Sequence, residues 1–445
     1  CALPISIFNV YDGNEVNLFL PDGASSLMNM VHDQQTVIDG YLNSYKDGKI
    51  GGDVYFLNPH GIIVGETGVL NVGSIKLATP TQDFMNNMFR ANGMMNAPQV
   101  TRVEDNDIPL SPLGLISVRG AVNATGTARL AGSDVTVTGS IETGSQAVTS
   151  IQNLVNMNAG GLGGGVIDMS NIEAGITIAA DDDVLIAGRL GADGADNINA
   201  GDIDVRAGDD IAVSQGADLS ADGVGANSDG GSVIVFADDA AVLGAGSRLS
   251  ADGGQSGDGG FVEFSAIRLV ELAGGQLSAA AQNGEDGAVL IDPADIIISS
   301  DLLRDATTDG GTGDADNNTS WNAGSLTLQA SNSITVNNGV TISSRRVSSS
   351  GDASAHRTAN SIADSGAITL MADTIAVGTN AVITSKATGS FNAGNITFDG
   401  KRIAAGGGSE IDASAASGAA GTVLFDADDR DNASIILSGT TVRGG

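Results

Sequence analysis

The sequence contains few cysteine, proline and aromatic residues. Among 445 residues it has 1 cysteine and 8 prolines, and aromatic residues make up 4%. A single cysteine excludes an internal disulfide framework, and so few prolines exclude a proline-rich linker or a collagen-like chain. No run of 18 or more apolar residues is present, so the sequence predicts no transmembrane helix.

Basic residues are also scarce. Lysine and arginine total 20 against 53 acidic residues, which gives a formal net charge of −33 at pH 7. Phosphate backbones and anionic lipid surfaces would be repelled by this charge, so we expect no nucleic-acid partner and no membrane-surface partner. An acidic surface keeps a protein soluble and permits divalent cation binding.

Glycine is abundant, in contrast. The sequence has 63 glycines, hydrophobic residues make up 41%, and mean hydropathy is positive. This composition argues against general disorder. Together with many Val, Ile, Thr and Ser residues, it predicts numerous short strands that are joined by tight turns.

A repeated phrase gives the length of the structural unit. "LGADG" begins at Leu190, "LSADG" begins at Leu219 and Leu249, and "LSAAA" begins at Leu277. Successive phrases are therefore 29, 30 and 28 residues apart. Such a regular period is typical of repeat architectures.

Within one period the pattern alternates between polar and apolar residues, which is typical of strands. The segments Gly201–Gly208, Asp209–Gly216 and Ala217–Gly223 each read as one short strand and its turn. Units in the same style begin at Gly366 and Gly394, 28 residues apart.

Three short strands cannot bury their own apolar face, so we expect the units to stack as coils. Stacked coils hydrogen-bond along the axis at about 4.8 Å per coil. The predicted fold is therefore all-β, a right-handed parallel β-helix. A β-propeller blade of about 40 to 50 residues fits the period less well.

Several segments depart from this pattern. "ALPI" at Ala2–Ile5 is what a common sequencing adapter gives when translated, so we set residues 1–6 aside from fold reasoning. Residues 83–109 have Met and Phe at roughly helical spacing, which predicts a short helix and loop against the solenoid. Residues 301–324 and 344–365 are polar and read as excursions between coils, and the chain ends in mid-repeat style, so we expect further sequence to follow.

One stretch, "FLNPHGIIVGETGVLNVGSI" at 56–75, contains a motif at its centre. It resembles the haemagglutination-activity, or two-partner secretion, domain of filamentous haemagglutinin-like exoproteins, in which an "NPNGI" motif precedes "NVGGL". The motif residues here are Asn58, Pro59, His60, Gly61 and Ile62, with His60 in place of the family's second Asn.

The resemblance extends to other positions. Gly65, Asn71, Val72 and Gly73 match the trailing part of the family pattern. Upstream, Asp39 and Gly40 match its "IDG", although Asp33, Gln34 and Gln35 stand where the family often has Asn-Pro. The phrase around residues 68–84 is most similar to leukotoxin-A-like filamentous adhesins, and the "LIDP" phrase at 290–293 is common in these exoproteins.

The resemblance implies a secreted or surface-attached adhesin of a Gram-negative-type bacterium. Residues 7–125 would form the secretion-domain cap, and residues 126–445 would form the repeat region. The partners that it implies are an outer-membrane transporter, a β-barrel with periplasmic POTRA domains, and a host-cell or matrix receptor or glycan. The turn at 58–61 would be a structural corner, a contact with the transporter, or both.

The sequence gives little sign of catalysis, and we predict no enzyme. His32, His60 and His356 are far apart in sequence, no G-x-S-x-G elbow is present, and "GLGGG" at 161–165 lacks the lysine of a phosphate loop. No cofactor is predicted except calcium, for which acidic loops offer hard oxygens. The candidates are Asp314, Asp316, Asp426 and Asp428, together with the "ADDDV" at 180–184.

Two other functions remain open at this point. Parallel β-helices also carry polysaccharide-active enzymes, which would need a carboxylate cluster in a groove. The chain is also compatible with the stalk of a contact-dependent toxin or cytolysin.

Overall fold

The computed structural model describes residues 2–156, 167–169, 172–304, 319–322, 325–345, 363–427 and 433–444. These residues contain 44 strands and three helices. The chain divides into two compact units, Cys1–Gly194 with Gly201–Asp209, and Ala195–Ala200 with Asp210–Gly445. Within the described part of the chain, no helix combines the length and the apolar character that crossing a membrane requires.

The first unit winds through three sheets in turn, so that each coil gives one strand to each sheet. Sheet A contains β1 (Ala2–Ile5), β4 (Ser26–Val31), β8 (Asp53–Leu57), β11 (Ser74–Ala78), β14 (Ala128–Gly132), β17 (Gly175–Ala180) and β20 (Asp202–Ala207). Sheet B contains β2 (Asn9–Val10), β5 (Thr36–Ile38), β9 (Ile62–Val64), β12 (Leu115–Val118), β15 (Asp134–Val137) and β18 (Val184–Ile186). Sheet C contains β3 (Glu15–Phe19), β6 (Tyr41–Lys46), β10 (Val69–Val72), β13 (Ala121–Ala124), β16 (Ser140–Thr143) and β19 (Arg189–Gly191), and β7 (Lys49–Ile50) pairs antiparallel with β6.

The second unit follows the same path. Its sheet A contains β23 (Ser232–Ala237), β26 (Phe261–Ala266), β29 (Ala288–Ile291), β33 (Ser325–Gln329), β36 (Ala367–Met371), β39 (Ile396–Asp399) and β42 (Val423–Asp426). Its sheet B contains β21 (Ile211–Val213), β24 (Ala240–Leu243), β27 (Leu269–Leu272), β30 (Asp295–Ile298), β34 (Ser333–Val336), β37 (Thr374–Val377), β40 (Arg402–Ala405) and β43 (Ser434–Leu437). Its sheet C contains β22 (Asp218–Ser220), β25 (Arg248–Ser250), β28 (Gly275–Ser278), β31 (Leu302–Arg304), β32 (Thr319–Asn322), β35 (Thr341–Ser343), β38 (Val382–Thr384), β41 (Glu410–Asp412) and β44 (Thr441–Arg443).

The strand register confirms that the repeated phrases mark successive coils. Leu219 of β22 pairs with Leu249 of β25, which pairs with Leu277 of β28. Ile383 likewise pairs with Ile411. All of these pairs are parallel, so the predicted parallel β-helix is correct.

The interior of each unit is a stack of aliphatic side chains. In β23 burial alternates along the strand, with Val233 and Val235 fully buried and Ile234 facing outward. Val233 and Val235 pair with Val262 and Phe264 of β26, which are also fully buried. Since burying such a side chain contributes roughly 1.5–3 kcal/mol, each coil is stabilised mainly by its neighbours.

The corner between sheets B and C in the first unit is a column of glycines. A Cβ on Gly120 would lie 2.1 Å from the carbonyl oxygen of Gly68, and one on Gly139 would lie 2.0 Å from that of Gly120. Both distances are too short for any side chain, so only glycine lets successive coils approach here.

The segment between β11 and β12 forms two short helices, α1 (Gln82–Asn86) and α2 (Ala97–Glu104), outside the stack. Apolar side chains of this segment, including Met85 and Met88, pack on the outward face of sheet A. The buried Lys76 ammonium of β11 donates to the Val103 carbonyl in the last turn of α2. Burial, and then the positive charge of Arg129, lower the pKa of Lys76 to about 8.

A third helix, α3 (Gly144–Asn156), lies in the repeat region of residues 126–445, at a place where the sequence analysis predicted no excursion. Its apolar residues at helical spacing, Ala147, Val148 and Ile151, are buried. The helix packs outside β13 and β16, and β14 still pairs in register with β17 beyond it. An amphipathic excursion therefore leaves the stack and returns without shifting the coils.

Two other segments that the sequence analysis set apart from the coils contain strands. Residues 1–6, set aside in the sequence analysis, contribute β1, which pairs with β4. The predicted excursion at 301–324 includes β31 and β32, which pair with each other in sheet C. Residues 346–362 of the predicted excursion at 344–365 lie outside the described residues.

The aspartates of the "LSADG" phrases form a charged corner in the second unit. Asp222 Oδ1 accepts a hydrogen bond from the Asp252 backbone N–H at 2.7 Å, and Asp252 Oδ1 accepts one from Ala280 N–H at 2.8 Å. Arg248 Nη2 lies 2.9 Å from Asp222 and 3.2 Å from Asp252. Burial, and then repulsion from Asp222, raises the pKa of Asp252 to about 6. The aspartate of each "LSADG" phrase thus accepts a hydrogen bond from a backbone N–H in the turn of the next coil. This contact explains why the phrase recurs.

The raised pKa of Asp252 predicts a pH-dependent contribution to stability. Between pH about 4 and 6 the folded state holds a proton that the unfolded state has released, so this contribution to the free energy of unfolding falls as pH rises through that window. We expect Asp252→Asn to lose this slope. Denaturant titrations of both proteins from pH 4 to 7, followed by fluorescence of the buried Trp321, test the difference, and parallel pH profiles would contradict it.

Candidate functional site

The motif at residues 58–61 forms the corner between sheets A and B in the third coil. Asn58 follows β8, Ile62 begins β9, and the Gly61 N–H donates to the Asn58 carbonyl at 3.2 Å. Gly61 has a φ of +102°, which favours glycine. A Cβ at this position would also lie 2.9 Å from the Leu115 carbonyl oxygen in the next coil.

The Asn58 side chain links this corner to the preceding coil. Its Nδ2 donates to the Gln34 carbonyl at 2.8 Å and to Thr36 Oγ1 at 2.9 Å. Its Oδ1 accepts from the His60 backbone N–H at 2.9 Å. Asn58 is fully buried, so its amide is satisfied by the fold and faces no solvent.

Among the five motif residues only His60 is exposed, whereas Asn58, Pro59, Gly61 and Ile62 are buried. His60 Nε2 lies 2.8 Å from the His32 carbonyl oxygen in the preceding coil, so a proton on Nε2 completes a hydrogen bond. The His60 side chain therefore contacts the backbone of His32, so two of the three histidines are neighbours in the fold. His356 lies outside the described residues.

The supporting positions Asp39, Gly40 and Gly65 lie where successive coils touch. Gly65 packs against the Asp39 carboxylate, and a Cβ on Gly65 would lie 1.7 Å from Asp39 Oδ1. A Cβ on Gly40 would lie 2.3 Å from the Asn14 carbonyl oxygen. Close contact between coils therefore accounts for these two glycines.

Asn71 belongs to a ladder of asparagines on the outward face of sheet C. Asn71 Nδ2 donates to Asn43 Oδ1, and Asn123 Nδ2 donates to Asn71 Oδ1, both at 2.9 Å. Asn43 Nδ2 donates in turn to Asn17 Oδ1 at 3.0 Å. The sequence analysis singled out Asn71 but not its partners, although Asn17, Asn43 and Asn71 are spaced by nearly one coil.

The remaining supporting positions, Val72 and Gly73, lie beside this ladder. Val72 is fully buried in the core. A Cβ on Gly73 would lie 2.5 Å from the Gly52 backbone nitrogen. Both residues are therefore accounted for by packing.

The predicted calcium positions are only partly described. Asp314, Asp316 and Asp428 lie outside the described residues, and Asp426 is exposed at the end of β42. In the described ranges Asp426 belongs to no group of three acidic side chains. Asp182 and Asp183 of the "ADDDV" segment do join Asp209 of the next coil, with carboxylate oxygens within 4.8 Å of one another, but all three are exposed.

Comparison with known proteins gives little further information. No family model matches the sequence, and no curated protein matches it. Among solved structures, the chain is similar to the crystal structure of the HMW1 secretion domain from Haemophilus influenzae, with a TM-score of 0.46 and 15% sequence identity over 96% of this chain and 92% of that chain. A similarity at this level shows neither the family nor the function of the chain.

The buried bonds of Asn58 predict an asymmetry within the motif. Asn58→Ala removes the partner of the buried Thr36 hydroxyl, and also those of the Gln34 carbonyl and the His60 N–H, so we expect a loss of about 2–3 kcal/mol in the free energy of unfolding. His60→Ala, on the exposed side of the same turn, should change it by about 0.5 kcal/mol or less. Urea titrations followed by far-UV circular dichroism measure both variants, and equal losses would contradict the geometry.

Proposed function

We propose that the chain is a secreted or surface-attached adhesin, that an outer-membrane transporter with POTRA domains exports it, and that it has no enzymatic activity. The observation that carries the proposal is the motif corner. The residues that resemble an export motif form one turn, and the supporting positions lie in the same coil or in the preceding one.

Burial of the motif in the folded coil predicts at which stage of folding a transporter could bind it. In the folded coil the Asn58 amide is enclosed, and His60 is the motif residue that a partner reaches. A partner that recognises Asn58 and Pro59 must therefore bind them before this corner closes on the preceding coil. Closure of the corner would then release the segment, and folding of successive coils would help to drive export.

The adhesive role is supported by the form of the repeats. In a parallel β-helix every second residue of a strand points away from the core, and excursions such as α1 and α3 vary these outward faces without disturbing the coils. With a net charge of −33 these faces stay soluble. We propose host cells, extracellular matrix or other bacteria as the targets of attachment.

Three variants distinguish loss of motif recognition during export from loss of stability at the corner. Asn58→Ala removes the motif amide, Thr36→Val removes its hydrogen-bond partner without changing the motif, and His60→Ala changes the exposed residue. The chain is fused behind a signal peptide and produced together with an outer-membrane transporter that has POTRA domains, and the fraction in the medium is measured by immunoblot. If Asn58 is read in the open chain, Asn58→Ala should reduce export at least tenfold, whereas Thr36→Val should export nearly normally.

Two outcomes would contradict this proposal. Normal export of Asn58→Ala would remove the turn from any signalling role. Equal loss with Asn58→Ala and Thr36→Val would show that export depends on the closed corner rather than on recognition of the motif. His60→Ala serves as the control that keeps the corner intact.

A further inference from the structure

A cleft lies between helix α3 and the outward face of sheet C in the first unit. Its volume is about 290 Å³. The floor is formed by Asn123, Ser140 and Glu142, and the wall by Ser150, Asn153 and Leu154 of α3. None of these residues belongs to the motif corner at 58–61.

The asparagine ladder ends at this cleft with a defined polarity. The Nδ2 atoms of Asn43, Asn71 and Asn123 each donate to the asparagine of the preceding coil, so each Oδ1 points toward the following coil. Asn123 is the last asparagine, and its register partner in β16 is Glu142. The acceptor Asn123 Oδ1 is therefore followed in the next coil by the Glu142 carboxylate, which is also an acceptor. Another asparagine at that position would have offered a donating Nδ2.

Asn123 is only 3% exposed, yet its Oδ1 accepts no hydrogen bond from the part of the chain that the structure describes. Because Asn123 lines the cleft, this oxygen is available to a molecule inside it. An acceptor that opens into a cleft and has no donor of its own favours a ligand that donates hydrogen bonds.

The carboxylate beside it is held in place. Arg189 Nε donates to Glu142 Oε1 at 2.9 Å, and Arg189 Nη2 lies 2.8 Å from Asp193 Oδ2. Gln146 Nε2 of α3 also donates to Asp193, at 3.0 Å. The guanidinium beside Glu142 opposes a metal cation, which in the case of calcium would also require six to eight oxygen ligands. A neutral ligand with several hydroxyl groups fits this arrangement better.

We propose that this cleft binds a single sugar ring, such as the terminal pyranose of a glycan. Hydroxyl groups of the sugar donate to Asn123 Oδ1 and to the Glu142 carboxylate, and they exchange hydrogen bonds with Ser150 and Asn153. Leu154 contacts the C–H face of the ring. The volume lies at the lower end of the range for small-molecule sites, which matches one ring rather than a chain of sugars. This inference rests on the cleft alone and does not depend on the export route.

Binding can be measured directly on the full chain. The probes are the methyl glycosides of glucose, galactose and mannose, together with N-acetylglucosamine and N-acetylgalactosamine, in saturation-transfer NMR and calorimetry. We expect at least one of them to bind, and Asn153→Leu to weaken that binding at least tenfold. Gln152→Leu is the matched control, because Gln152 is an exposed neighbour on α3 and does not line the cleft.

A second variant, Asn123→Leu, removes the acceptor, and its circular dichroism spectrum shows whether the coils remain folded. Loss of sugar binding in both folded variants supports the proposal. Absence of binding for every sugar of the panel would overturn it, as would binding that Asn153→Leu leaves unchanged. Calcium binding that either cleft variant abolishes, without sugar binding, would also overturn it and identify a cation site instead.

Discussion

The structure depends on one constraint, which is that each coil covers the apolar interior of its neighbour. A coil of three short strands has too little interior of its own to stay folded, and its backbone groups find their partners in the coils on either side. Residues of the same kind must then recur in register, because a shift of one position would turn the apolar side chains outward. The pairing of Val233 with Val262, and of Ile383 with Ile411, follows from this constraint.

The same axial spacing organises the polar residues. Identical side chains that are stacked at about 4.8 Å can hydrogen-bond from coil to coil, as asparagines do in ladders. The first unit uses this device at Asn71, and the second unit uses carboxylates such as Asp252 to cap the following turn. Polar groups near the stack are thus satisfied by the neighbouring coil, which is also why the amide of Asn58 is enclosed rather than displayed.

Variation is concentrated in the excursions that leave the stack. Helices α1 and α2 cover part of sheet A, and α3 covers part of sheet C, but the coils continue in register beyond each of them. A solenoid tolerates such additions because they break no axial hydrogen bond between coils. Surfaces and clefts that differ between positions along the chain are therefore built by the excursions, on a scaffold that stays constant.

The fold class could be predicted from the order of residues alone, because strand alternation and a period near 28 residues are local properties. Three features could be predicted from the sequence: the glycines at the starts of coils, the three strands of the repeat that begins at Gly201, and the corner at Asn58. Which side chains contact one another between coils became visible in the folded chain. Asn71 and Asn123 are 52 residues apart because α1 and α2 lie between their coils, so their pairing does not follow the period. Three other features also depend on contacts between coils: the position of α3, the direction of the hydrogen bonds in the asparagine ladder and the burial of Asn58. A sequence pattern does not record such contacts.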